Sequence, residues 1–546
     1  AARPGVAVPR PALPGVPPPD AGAVSIARSS GVMAVGTLGS RLTGFLRTIA
    51  QSYALGVAGI AAAYNLSNTL PNVVYNLALG GILTSVIVPL IVNAARRDAG
   101  RGDGYDQRMF TLVTIALAGV TVLALAASVP IVHLYAGSKI ADSASTLHLS
   151  VIFALFFIPQ IFFYGVSSLI GAILNSRGSF AAPMWTPIVN NVVVITVLGL
   201  YVAMAGLHRT PVTITGTEVG LLGLGTTLGI VAQTIALIPA LRQVGFRWHP
   251  RTDFRRWEVA EIGRMAGWMF GYIATTQVAF LVTTKVAGDA SLMGVTDYNY
   301  AWLLFQLPYA VVGISVITAL LPRMSAHAAE RRYRLVRRDF SAGTRLAATI
   351  VVPCSLVLAV LGPALAELFL GHGSTHPAQA RYIGLVFAVF CLGLLPYMIF
   401  QLQLRVFYAL HDSKTPAIIG LVTMIANIVA NIVALDSLPS SRVVAGLGVG
   451  FGLANLVGTV ISWRILSRRL HGLDGYLIGR SLVRMYAAAI PAALLAVIVG
   501  ILTGNTIIIV IIGGGLAAGM YLLFARALRI DELTSLTRTV MARLGR

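Results

Sequence analysis

Residues 172–177 read Ala-Ile-Leu-Asn-Ser-Arg and residues 409–414 read Ala-Leu-His-Asp-Ser-Lys; each closes a long apolar run with a polar turn and one cation. The two stand 237 positions apart. The same offset carries Leu70-Pro71 onto Leu307-Pro308, Pro159 onto Pro396 and Asn190 onto Asn427, and after a longer loop Gly223-Leu-Gly225 pairs with Gly446-Leu-Gly448. Self-similarity at a fixed distance marks a duplicated unit. When each unit holds an even number of spans, the copies share one orientation and are related by an axis along the membrane normal. The expected fold is an all-α polytopic membrane protein with two six-helix lobes in a parallel pseudo-two-fold repeat, followed by two extra C-terminal helices.

Composition supports a membrane chain. Of 546 residues 57% are hydrophobic and 11% charged, with mean hydropathy +0.82, whereas soluble domains carry about a quarter charged residues. Apolar runs long enough to span a bilayer place fourteen transmembrane helices near 26–54, 60–95, 108–136, 146–174, 179–206, 218–244, 257–287, 293–325, 341–370, 379–411, 415–436, 442–469, 478–503 and 505–527. The second and eighth are long enough to be tilted or broken near their Leu-Pro pairs. The implied organisation is a Pro-rich flexible tail (1–25), an N-lobe (26–245), a C-lobe (246–470), the extra helix pair (471–528) and an amphipathic tail (529–546).

The net charge of +21 would suggest nucleic acid in a soluble protein, but here the arginines gather in alternate loops. Arg96 to Arg108, Arg177, Arg242 to Arg256, Arg331 to Arg338, Lys414 and Arg464 to Arg469 all fall on one side, which the positive-inside rule makes cytoplasmic. Both termini then lie in the cytoplasm. Cys354 and Cys391 sit in apolar runs and offer neither a disulfide framework nor a metal site. No histidine forms a zinc-protease motif, and no phosphate loop is present. Gly446-Leu-Gly-Val-Gly-Phe-Gly452 lies within an apolar helix and reads as close helix packing. Nothing points to an enzyme, a cofactor or a bound metal.

The informative residues are polar ones set where lipid should be. Arg41 and Arg47 lie inside the first apolar segment, about 9 Å apart along a helix, and buried cations of this kind face a cavity or a counter-charge. Paired guanidinium forks suit a diphosphate; snorkelling to the interface is the other reading of Arg47. Asn65, Asn68, Asn72 and Asn76 share one helix face, either lining a cavity or bonding helix to helix. In the second lobe Lys285, Asn299, Gln306, Arg405, Asn427 and Asn431 are candidates, beside Arg264. Asp297 is a candidate ion-coupling carboxylate, while Lys285, Asp289 and Asp297 also read as outer-loop residues. Gly44, Pro71 and Pro308 are candidate gating positions.

Ser40-Arg-Leu-Thr-Gly-Phe-Leu-Arg47, then Leu70-Pro-Asn72, Gly80-Gly81 and Val88-Pro89, resemble the start of the MurJ/MviN lipid II flippases of the multidrug/oligosaccharidyl-lipid/polysaccharide exporter superfamily. Tyr300-Ala301, Leu307-Pro308, Leu321-Pro322 and residues 409–414 resemble its eighth and tenth helices, and the likeness runs over about 26–527. The resemblance implies a cationic cavity between two lobes, an extra helix pair forming a groove for a lipid tail, and first-helix arginines at Arg41 and Arg47. It also implies movement of an undecaprenyl-diphosphate-linked disaccharide-pentapeptide across the bacterial cytoplasmic membrane, without bond chemistry and by alternating access. Membrane potential or a monovalent cation would supply the bias. The partners implied are lipid II or a related polyprenyl-diphosphate glycolipid, membrane lipids and cell-wall synthesis proteins. Three family charges are absent: an acid falls on Ala62, and arginines fall on Tyr75 and Leu303. The alternatives are another polyprenyl-diphosphate saccharide, a drug or a transport-inactive cell-wall scaffold.

Overall fold

A computed structural model describes residues 19–76, 102–251 and 256–533. Among these residues the secondary structure is helical throughout, and nine helices are long and apolar enough to cross a bilayer. A tenth is added if Pro377–Leu392 and Leu394–Ala409, bent by 49° at Gly393, count as one span.

The first helix is longer than its apolar run. It begins at Pro19, inside the stretch expected to be tail, and runs to Leu55. The second helix (Ile60–Tyr75) passes unbroken through Pro71, so the expected break at Leu70-Pro71 is not there. Pro308 behaves differently. Gly294–Tyr309 passes into a π-helical turn at Ala310–Ile314 before Ser315–Ala329 continues, and such turns absorb an extra residue without ending the helix.

Further breaks lie inside apolar runs that read as continuous. Gly102–Ala126 is followed by Ser128–Tyr135, Ala144–Phe157 by Gln160–Ser176, and Gly216–Ile235 by Ile238–Gln243. The breaks at Pro159 and at Gly393, near Pro396, fall at related positions of the two copies. Backbone groups freed at a break need partners in a medium without water. Thr227 Oγ1 donates to the Phe156 carbonyl at 2.7 Å, and Thr459 Oγ1 donates to the Pro396 carbonyl at 2.9 Å. The duplication thus extends to how each lobe satisfies its bent helix.

Lipid tails are as apolar as leucine, so helices associate through close packing and polar bonds. Tyr333–Leu370 and Pro377–Leu392 meet backbone to backbone at Gly362 and Gly384, where an added Cβ would stand 2.4–2.6 Å from the opposite carbonyl oxygen. The extra pair, Gly475–Thr503 and the helix ending at Ala527, packs on Tyr333–Leu370. Tyr521 fixes it by donating to the Thr349 carbonyl at 2.7 Å. The expected amphipathic tail is described only to residue 533, and there Glu532 accepts from Arg345 at 2.6 Å and Ser481 at 3.3 Å. The rest of that tail, Gly80-Gly81 and Val88-Pro89 lie outside the described residues.

Candidate functional site

Between the lobes lies a cavity of about 750 Å³. The N-lobe wall comes from two helices. The first supplies Arg47, Thr48 and Gln51, and the second supplies Asn65, Asn68, Asn72 and Asn76, whose spacing of three, four and four keeps them on one face. The opposite wall is built by the C-lobe and is aromatic: Tyr272, Tyr298, Trp302, Tyr397 and Phe451 all line it. Among the described lining residues Arg47 is the one cation and no carboxylate is present. No ion pair of the described chain includes Arg47, so its charge is available to an anion.

One end of the cavity is closed by hydrogen bonds between the lobes. Ser52 Oγ and Thr375 Oγ1 lie 2.8 Å apart, and Thr375 Oγ1 lies 2.8 Å from the Ser52 carbonyl. Ser374 donates through its backbone N–H to the Tyr53 carbonyl at 2.8 Å, and through its hydroxyl to the Ala54 carbonyl at 3.1 Å. Beside them Asp289 accepts from the Ser138 backbone N–H at 2.6 Å. Gly137 there rests on Gly288, and a Cβ on Gly137 would stand 2.1 Å from the Gly288 carbonyl carbon. Asn65 floors the same end, accepting from Gln51 at 2.9 Å and donating to Thr296 at 3.3 Å.

A second cavity, about 370 Å³, lies between the first helix, the helix Ala181–Ala205 and the helix Gly294–Tyr309. Arg41 opens onto it with Ser40 and Gly44. Asn299, Trp302, Leu303 and Gln306 line both cavities, so the two share a wall.

The candidates from the sequence therefore separate. Arg47, Asn68, Asn72 and Asn76 reach the main cavity together with Asn299, Gln306 and Asn427. Asn65 reaches it too, but its amide is committed to Gln51, Thr296 and the Ala61 carbonyl. Arg41 belongs to the adjoining cavity. Lys285 is exposed and lines neither. Arg405 is half-buried over the Tyr408 ring at 5.8 Å, off both walls. Asp297 is 1% exposed, and Gln379 Nε2 donates to both its oxygens at 2.9 and 3.0 Å. Asn431 is buried, donating to Thr283 and Asn427. Gly44 meets no steric demand, since an added Cβ would lie 3.6 Å from Asn191 Nδ2. The Arg264 side chain lies outside the described residues.

The three missing family charges also differ in consequence. Ala62 is fully buried, and Tyr75 lies 2.6 Å from Ser168 Oγ through its hydroxyl. Leu303 alone of the three lines the cavity. The aromatic wall was not read from the sequence, nor were the threonines Thr275 and Thr276 beside it.

A family model described as lipid II flippase MurJ matches residues 51–512. The chain is 27% identical over 484 residues to a probable lipid II flippase MurJ of Rhizobium meliloti (strain 1021), covering 87% of each protein. It is 25% identical to a probable lipid II flippase MurJ of Haemophilus influenzae, covering 84% of this chain and 89% of that protein. Among solved structures it resembles a lipid II flippase MurJ in an inward closed conformation, with TM-score 0.73, 18% identity, and coverage of 92% of this chain and 99% of that one. It also resembles an inward-facing multidrug resistance MATE family transporter, with TM-score 0.64, 15% identity, and coverage of 80% and 96%. With more than four-fifths of its length matched by the family model and a membrane bundle of the same fold, the chain belongs to the lipid II flippase MurJ family.

Proposed function

We propose that this chain is a lipid II flippase, carrying the undecaprenyl-diphosphate-linked peptidoglycan precursor from the inner to the outer leaflet of the bacterial cytoplasmic membrane. The carrying observation is a cavity between two lobes that holds one unpaired arginine and no carboxylate. An anionic headgroup gains charge-assisted hydrogen bonds there, and a drug cation would find no partner.

The reading supplies the remaining parts. The chain has fourteen spans, with both termini and the arginine loops in the cytoplasm. The end joined by Ser52 and Thr375 is then the outer one, and the headgroup enters from within, its tail resting in lipid beside the extra helix pair. Rearrangement of the lobes opens the outer end. Membrane potential or a monovalent-cation gradient biases the cycle. No bond is made or broken.

The absence of an arginine at Leu303, on the cavity wall, favours a second cargo in the same class, another polyprenyl-diphosphate saccharide. The deciding experiment is lipid II translocation in cells depleted of their own flippase, with membrane expression confirmed. Rescue is expected; failure of well-expressed protein to rescue overturns lipid II as the cargo.

A further inference from the structure

The two walls of the main cavity differ in kind. Every described aromatic residue on it, including Tyr272, Trp302, Tyr397 and Phe451, belongs to the C-lobe, whereas the N-lobe contributes Arg47, Gln51 and four asparagines with no aromatic ring. Trp302 is fixed by its neighbours. Its ring stacks on Phe305 at 5.2 Å with 28° between planes, and Phe451, Phe390 and Tyr397 meet it edge-on at 5.1, 5.7 and 6.4 Å. It nevertheless stays half-exposed and lines both cavities. A rigid, partly uncovered indole is a preformed surface for a flat apolar ligand face.

Three kinds of ligand suit aromatic rings. A quaternary cation needs aromatic faces without a competing positive charge, and Arg47 shares this cavity while no carboxylate does. A polyprenyl chain would cover the rings but leave the asparagine amides facing it without partners, at a cost for each. A pyranose ring satisfies both walls, since its axial C–H groups form an apolar face and its hydroxyls form a rim for amide donors and acceptors.

Building on the flippase reading, we infer that Trp302, with Tyr397 and Phe451 behind it, is the saccharide-stacking surface of the cavity. The sugar rings lie against the C-lobe wall while Arg47 and the asparagine stripe hold the phosphates and hydroxyls of the N-lobe side. Trp302 thereby sets specificity for a glycosylated lipid over a bare polyprenyl diphosphate. The headgroup spans both lobes, so its sugar and its phosphate report on opposite walls.

The test uses the full chain in nanodiscs with two labelled probes, undecaprenyl diphosphate and the same lipid carrying its disaccharide. In the wild type the glycosylated lipid binds more tightly. Trp302→Ala weakens that probe by about 3- to 10-fold and leaves the sugar-free probe unchanged, while Trp302→Phe and Trp302→Tyr restore most of the difference. Equal weakening of both probes in well-folded Trp302→Ala overturns the inference and makes the ring a packing element or a tail contact. No change for either probe also overturns it. Wild-type protein that binds neither lipid defeats the flippase reading itself and the inference with it, whereas binding of both with no preference defeats the inference alone.

Discussion

Arg47 stands in the main cavity without a carboxylate beside it, and a guanidinium so placed is paired only when a ligand arrives. Hydrogen bonds to charged groups contribute about 1.5–3 kcal/mol. Arg47→Ala is therefore expected to weaken binding of a polyprenyl diphosphate by about 10- to 100-fold, measured with the labelled lipid in nanodiscs. Arg47→Lys keeps the charge but loses the fork and should fall between. Lys285→Ala, at an exposed position off both cavity walls, should leave binding and translocation at wild-type levels; a loss there would show that the anion path runs outside the cavity. Asn65 shows how one stripe divides. It shares a helix face with Asn68, Asn72 and Asn76, yet lies where the lobes meet and spends its amide on Gln51 and Thr296.

At the scale of elements, the turn at 410–413 is held by one carboxylate. Asp412 accepts from the Thr415 backbone N–H at 2.9 Å and its hydroxyl at 2.6 Å, and also from Arg469, so it ties three helices at their arginine-rich ends. Partial burial pushes its acidity toward the neutral form, but the Thr415 bonds and Arg469 outweigh that and hold its carboxyl below the ordinary value of 3.8. A depressed folded value means the stabilisation is fully present above pH 3.8 and lost as pH falls through the lower folded value. Asp412→Asn should lower stability at neutral pH by up to about 1 kcal/mol, a figure limited by the exposure of Arg469. In thermal unfolding of the purified protein, the wild-type advantage should vanish only below that pH. Much at this scale was legible in the sequence: apolar length gave the helices, and the 237-residue offset anticipated paired bends near Pro159 and Pro396. The breaks at Ala127 and Ala236-Leu237 were not, because no proline or polar residue interrupts those runs. The aromatic wall escaped for another reason. In lipid, rings are welcome on any helix face, so spacing alone does not tell which face turns inward.

For the molecule as a whole, alternating access requires the Ser52–Thr375 junction to part in each cycle. Their hydroxyls lie 2.8 Å apart, a geometry favourable to a cross-link between cysteines at these positions. The Ser52→Cys/Thr375→Cys protein should translocate lipid when reduced and stop when oxidised, with recovery on adding reductant. The native cysteines interfere little, since Cys391 is buried and Cys354 half-buried. Transport that persists with the cross-link formed would refute rocking about this closure. Charge belongs to the same scale. The net +21 mostly orients the chain, while one described cation serves the main cavity, so overall charge and binding charge are separate quantities in this protein.

The meeting of Gly137 with Gly288 carries a consequence for how such a machine can be jammed. A lone methyl at Gly137 is a shim in a door frame: it leaves each lobe able to fold but denies them their closest approach, because the obstruction is backbone and has no rotamer by which to retreat. A transporter left ajar at this seam loses its insulation between compartments, which makes the smallest side chain in the protein's vocabulary a plausible route from pump to leak.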